Sequence, residues 1–114
     1  MTFPHDVMRA TRGSYSWVDR YIFPGGELPS LEEIALLAKK YTGFDISLVR
    51  RLNDSYARTL EAWRENFLAA AIDVHDLGFD DRFVRLWALY FSYFEAGFRA
   101  RYCDVWQVGM EKRK

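Results

Sequence analysis

Apolar positions along the chain switch between a helical and an extended period, and the switches outline the elements. Over residues 1–13 no period holds and Pro4 and Gly13 interrupt, so this stretch reads as a loose leader. From Ser14 to Phe23, the residues Trp17, Val18, Tyr21 and Ile22 recur at helical spacing, with Ser14 or Ser16 as the N-cap. Pro24-Gly25-Gly26 ends that helix, because proline cannot continue it. Ser30 followed by Glu33 has the form of a capping box. The helix it opens directs Leu31, Ile34, Ala35, Leu37 and Ala38 inward and stops at Thr42-Gly43. Phe44, Ile46 and Leu48 then alternate with Asp45 and Ser47, the period of a strand.

Asn53-Asp54-Ser55 supplies the next cap, and a long helix runs to about Leu77 with Leu60, Trp63, Phe67, Ala70 and Ala71 on one stripe. Gly78 is its C-terminal stop. Asp80 or Asp81 caps the last helix, which reaches to about Tyr102, and Cys103 to Met110 forms a second strand through Val105, Trp106 and Val108. The order predicts an α+β fold of about four helices and one pair of strands. Two strands alone make a marginal sheet. Both are apolar on more than one face, as strands inside a larger sheet are.

The 114 residues allow one domain at most, with a modest core. Half are hydrophobic and 18% aromatic, which excludes a disordered chain. With 16 basic and 16 acidic residues the formal charge is zero, which argues against nucleic acid as a partner. The single Cys103 cannot form an internal disulfide, and His5 and His75 lie too far apart for a structural zinc pattern. No signal-peptide pattern or apolar run of roughly 18 residues is present, so the chain reads as cytoplasmic.

The last helix carries Phe83, Val84, Leu86, Trp87, Leu89, Tyr90, Phe91, Tyr93, Phe94 and Phe98, leaving almost no polar face in its middle. Two readings stay open: burial on every side as plain core, or one side facing a lipid. Glu95 on this helix is expected to pair with Arg58, Arg99 or Arg101 rather than to act as a buried acid. Pro24-Gly25-Gly26 follows a helix rather than a strand, so it is not a phosphate-binding loop. The basic end Lys112-Arg113-Lys114 reads as solvated, with contact to anionic lipid as the alternative.

Three segments carry a family resemblance: Tyr21-Ile-Phe-Pro-Gly-Gly-Glu-Leu-Pro-Ser30, Ser55-Tyr-Ala-Arg-Thr-Leu60 and Ala96-Gly-Phe-Arg-Ala-Arg-Tyr-Cys-Asp-Val-Trp-Gln107. In order and spacing they resemble the last third of the cyclopropane-fatty-acid synthases and mycolic-acid cyclopropane synthases, from about Trp17 to Met110. Those are class I S-adenosylmethionine (SAM) dependent methyltransferases. The resemblance implies that residues 14–114 form a single C-terminal-type lobe whose strands are the final antiparallel pair of a larger sheet. It implies no cofactor site in this chain, since the SAM-binding lobe precedes this region in the family and only about 16 residues precede it here.

By the same resemblance Tyr56 is the catalytic candidate, its hydroxyl helping to hold the bicarbonate base of methyl transfer. A phenol hydroxyl can donate to an anion while staying neutral, and a helix N-terminus adds a favourable dipole. Ser55 stands where the family has histidine, and the family's other anion ligands belong to the missing lobe; Cys103 is not one of them. The implied acyl-chain wall is Trp87, Tyr90, Phe91, Phe94 and Phe98, where an alkyl chain gains roughly 0.8 kcal/mol per buried methylene. Phe94 replaces a frequent family cysteine and would narrow such a channel. The expected role is therefore an accessory part of a fatty-acyl methyltransferase, with a SAM-binding lobe as partner or self-association, a fatty-acyl or phospholipid substrate, and peripheral contact with the inner membrane face. The alternatives are a non-catalytic lipid-binding or oligomerisation module, and a truncated remnant of such an enzyme.

Overall fold

The computed structural model describes residues 1–114. Its elements run α1 (His5–Thr11), α2 (Trp17–Tyr21), α3 (Leu31–Tyr41), β1 (Phe44–Arg51), α4 (Asn53–Ala69), α5 (Ala71–Asp76), α6 (Asp81–Arg99) and β2 (Trp106–Lys112). The fold is α+β with six helices rather than about four, and its two strands form one antiparallel sheet. The backbone divides into two compact units, Met1–Leu52 with Tyr102–Lys114, and Asn53–Arg101.

In the first unit, β1 and β2 pair from Phe44 opposite Lys112 to Arg51 opposite Trp106, with an irregularity between Ile46 and Leu48. Gly109 faces Leu48 there. A Cβ on Gly109 would come within 3.0 Å of the Leu48 Cβ, so the close approach needs a residue without one. The second strand begins at Trp106, not at Cys103. Cys103 and Asp104 instead lie buried before it, where Asp104 exchanges backbone hydrogen bonds of 2.8 Å with Thr2 in both directions.

That pairing overturns the loose leader. Thr2 bridges to Asp104, the Phe3 amide donates to the Pro29 carbonyl (3.0 Å), and α1 buries Met8. These contacts link positions far apart in sequence, which local periodicity cannot register. The helix expected from Ser14 to Phe23 is shorter, Trp17–Tyr21, and Ser16 rather than Ser14 caps it. Ser16 and Asp19 make a reciprocal capping box: the Ser16 amide donates to Asp19 Oδ2 (2.8 Å) and the Asp19 amide to Ser16 Oγ (3.3 Å). These bonds to Ser16, its side chain first, hold the Asp19 carboxyl below the usual carboxylate range.

Ser30 caps α3 as expected, its Oγ accepting from the Glu33 amide (3.0 Å). The reciprocal half of that box is absent: the Ser30 amide donates to Met8 Sδ (3.2 Å), and Glu33 turns to Arg12 (3.5 Å). Leu37, expected to point inward, is 43% exposed, and Ala38 is the buried residue of α3. At the other end of α3, Arg113 Nη2 donates to the Lys39 and Thr42 carbonyls at 2.8 and 2.6 Å. The basic end is thus tied to carbonyls that a helix terminus leaves without partners, a favourable place for a cation.

In the second unit, the long helix expected to reach Leu77 breaks at Ala70 (φ −92°, ψ 15°) and restarts as α5. Neither glycine nor proline marks the break. Gly78 at φ +98° then turns the chain out of α5, and Asp80 caps α6 by accepting from the Phe83 amide (2.9 Å). The last helix closes at Arg99 rather than near Tyr102, with Arg101 at φ +57° ending it. Ala57 and Leu60 of α4 and Phe98 of α6 are almost fully buried, with Tyr90, Phe91 and Phe94 below a tenth exposed. Full burial contributes about 1.5–3 kcal/mol for each large apolar side chain, so these two helices hold the unit together.

Candidate functional site

Every residue predicted for the site lies in the Asn53–Arg101 unit. Tyr56 sits in the first turn of α4, half-buried. Its ring stands edge-on to Phe98 (centroids 5.1 Å, 88°) and to Trp63 (5.9 Å, 78°). Such edge-to-face pairs suit the ring quadrupole and hold the phenol in one orientation. From Phe98 the aromatic series continues along α6 to Phe94 (6.3 Å), Tyr90 (4.9 Å) and Trp87 (5.4 Å). Phe91 joins it through Trp87 (5.9 Å) and through Trp63 (6.4 Å).

The structure thus brings Tyr56 against Phe98 directly and links it to the other four through ring contacts. Tyr90, Phe91, Phe94 and Phe98 are buried in this packing, and Trp87 is half-buried. Burial on every side does not describe α6: Leu89 is 55% and Tyr93 44% exposed. The helix has a packed side and an open one.

Next to the aromatic side runs an ion network. Glu95 Oε2 accepts from Arg64 Nη1 at 2.7 Å, and its Oε1 accepts from Arg99 Nε at 3.1 Å. Arg64 also donates to Ser92 Oγ (3.0 Å), and Arg99 to Glu61 (3.2 Å). Glu95 is therefore paired, as expected, through Arg99 but not through Arg58 or Arg101. Arg64 was not anticipated. It lies on α4, and only the α4–α6 packing reveals it as a neighbour of α6.

Asn53 is the other residue that sequence reasoning gave a smaller part. Read as a cap, it is 5% exposed, and its Nδ2 donates to the Phe98 carbonyl (3.3 Å). The signal available was its spacing: it lies three residues before Tyr56, on the same helical face.

What this arrangement offers chemically is a phenol hydroxyl in the first turn of a helix, backed by aromatic rings. The only sheet is the antiparallel pair, and no glycine loop joins a strand to a helix. No group of three His, Cys, Asp or Glu side chains is placed to hold a metal ion. Cys103, in the other unit, is buried, and desolvation with the neighbouring Asp104 pushes its thiol up to about 12, which makes it a poor nucleophile. No helix is long and apolar enough to cross a membrane.

Residues 1–108 match the sequence model of the family described as mycolic acid cyclopropane synthetase. The chain belongs to that family. It is 46% identical over 107 residues to tuberculostearic acid methyltransferase UfaA1 of Mycobacterium tuberculosis, a match covering 94% of this chain and 25% of UfaA1. Cyclopropane-fatty-acyl-phospholipid synthase of Escherichia coli is 37% identical over 92 residues, 81% of this chain and 23% of its own length. The chain thus spans about a quarter of these relatives. Among solved structures, mycolic acid cyclopropane synthase CmaA1 complexed with SAH and CTAB superposes with a TM-score of 0.81 at 24% identity, over 97% of this chain and 41% of CmaA1. The α+β arrangement is therefore that of this part of the synthetase fold.

Proposed function

We propose that these residues supply the acyl-side wall and one anion ligand, Tyr56, of a SAM-dependent fatty-acyl methyltransferase or cyclopropane synthase. The SAM site belongs to polypeptide outside residues 1–114, in the same chain or in a partner. The observation that carries the reading is the seating of Tyr56 against Phe98 at the head of a continuous aromatic series, in a chain of this family. In such an assembly SAM would supply the methyl group and bicarbonate would be the base. Tyr56 would hold that anion through its hydroxyl, while Trp87 and the buried rings of Tyr90, Phe91, Phe94 and Phe98 keep the acyl side dry and shaped.

The test is Tyr56→Phe in the assembled enzyme, assayed by methyl transfer from labelled SAM to phospholipid. The substitution keeps the ring and its two edge-on contacts and removes only the hydroxyl. Losing one of several ligands to the base should slow turnover about tenfold, roughly 1.4 kcal/mol in barrier, with the melting temperature unchanged. Turnover equal to the parent's would leave Tyr56 as a packing residue.

A second reading, an oligomerisation or lipid-binding module, is favoured by the strands: Phe44, Leu48, Val49 and Met110 are 41–60% exposed. Light scattering after size exclusion decides it. More than one copy per particle supports self-association, and a stable monomer at high concentration removes it.

A further inference from the structure

Phe98 is held twice, once by its ring and once by its carbonyl. Its ring receives the edge of Tyr56, and its carbonyl, in the last turn of α6, accepts from Asn53 Nδ2 at 3.3 Å and from the Arg101 amide at 3.2 Å. Asn53 opens α4 and Tyr56 follows one turn on, so both grip the same residue from the same face of one helix. Between them and α6 there is no slack: Phe98 and Ala57 are 0% exposed and Leu60 1%. The side-chain amide thus fixes the rotation of the first turn of α4 against the end of α6, and that rotation determines where the Tyr56 hydroxyl points.

We propose that Asn53 is a positioning residue for Tyr56, acting through the Phe98 carbonyl rather than on any substrate. This inference rests on the reading of Tyr56 given above, and its test separates the two. The chemistry of the contact is directional. A carbonyl near a helix C-terminus carries partial negative charge and calls for a donor. Asparagine provides one; an aspartate of the same shape presents oxygen to oxygen and repels. A threonine or serine cap chosen only for α4 would not reach across in this way, and a cap acts on its own helix rather than on the ring beside Tyr56.

Two substitutions probe it, Asn53→Asp, which inverts the contact, and Asn53→Ala, which deletes it without adding charge and covers the case in which the aspartate variant fails to fold. The first readout needs no activity. With ring-fluorinated tyrosine incorporated in the chain, the Tyr56 signal is identified by its loss in Tyr56→Phe and followed by fluorine NMR. Both Asn53 variants should shift or broaden that signal while leaving those of Tyr15 and Tyr41, in the other unit, in place. A Tyr56 signal unmoved in a folded Asn53→Ala chain overturns the inference, whatever Tyr56 does in catalysis.

The second readout is turnover in the assembled enzyme. Either Asn53 variant should lower kcat about three- to tenfold with KM little changed, and should cost nothing further when Tyr56 is already phenylalanine, because coupled residues are not additive. An equal loss in both backgrounds would make Asn53 a general stabiliser of the fold and overturn the inference. If Tyr56→Phe alone leaves turnover unchanged, the catalytic reading falls while the fluorine signal still decides whether Asn53 holds the tyrosine.

Discussion

In the unit of residues 53–101, α4 and α6 are long and cover each other's apolar stripes, so that Leu60, Phe94 and Phe98 are 1%, 6% and 0% exposed. The unit of residues 1–52 and 102–114 is built otherwise. Its helices are short, its sheet has two strands, and Leu48 and Phe44 remain 60% and 41% exposed. What holds this unit is a set of polar ties: Thr2 with Asp104, Ser30 with Met8 and Glu33, and Arg113 with the end of α3. The contrast teaches where an apolar residue carries stability and where it is left to be covered. On the packed side of the helical unit the rings are already partnered, whereas the apolar residues of the strands are exposed, as Leu89 and Tyr93 are on the open side of α6. That matches a sheet which in CmaA1-like structures is part of a larger chain.

The sharpest way to break this comparison is to truncate one aromatic in each unit. Phe98→Ala should destabilise the chain by about 3–5 kcal/mol, because a fully buried ring leaves a cavity that its neighbours fill only in part. Phe44→Ala, in β1, should stay within about 0.5 kcal/mol, the range of surface positions. Denaturant melts of the two variants measure the difference. Similar losses at both positions would mean that the strands are as tightly covered as the helices.

Ion pairs extend the same contrast. The Glu95 side chain is 14% exposed and serves two arginines, so Glu95→Ala strands the half-buried Arg64 and should cost about 1–3 kcal/mol. Arg12 and Glu27 in the other unit lie 3.9 Å apart with side chains 58% and 71% exposed. Glu27→Ala should therefore change stability by less than about 1 kcal/mol, and salt should erase what little it contributes. Thermal melts at low and high salt distinguish the two.

The sequence showed best what local rules govern. The serine and aspartate caps at Ser16, Ser30 and Asp80, the stops at Pro24 and Gly78, and the extended period of Phe44 to Leu48 all depend on neighbours a few residues away. The aromatic stripe of α6 was legible for the same reason, and with it the candidate site. Three kinds of feature were not legible. Thr2 pairing with Asp104 joins chain segments about a hundred residues apart. The break at Ala70 carries no glycine or proline signal. Arg64 reaches Glu95, and Asn53 reaches Phe98, only because α4 and α6 pack together, so these polar partners were hidden while the aromatic candidates themselves were visible. Leu37 shows the opposite failure, where helical period alone turned an exposed side chain inward.

A smaller effect is expected at the polar anchor of the first unit. Ser30 is 0% exposed; its Oγ accepts from the Glu33 amide and meets His5 Nδ1 at 3.0 Å. Ser30→Ala removes the N-cap of α3 and one link to α1, and should cost about 1 kcal/mol, within the 0.5–2 kcal/mol range of lost caps. Hydrogen exchange should then speed up in α1 and α3 and stay unchanged in α4 and α6. Equal acceleration in all four helices would show that the two units unfold as one.

The mildest probe is pH, and it acts on the same unit through Cys103. The folded thiol, 1% exposed and beside Asp104, is pushed from 9.0 up to about 12. In the unfolded chain the thiol is solvated and loses its proton near its ordinary value. Between about pH 9 and about pH 12 the unfolded state therefore binds fewer protons than the folded one, and stability falls as pH rises through that window. Below it the contribution is fully present. Cys103→Ala deletes this share of the slope while leaving the tyrosines and lysines that titrate in the same range. Stability of the two chains, measured by denaturant unfolding across the window, should decline more steeply with pH for the parent than for the variant. The same burial should keep the folded thiol from reacting with iodoacetamide near pH 8 until the chain is unfolded. Parallel pH slopes, or prompt alkylation of the folded chain, would show that Cys103 is open to water and that this unit's anchor beside Asp104 is looser than its hydrogen bonds to Thr2 indicate.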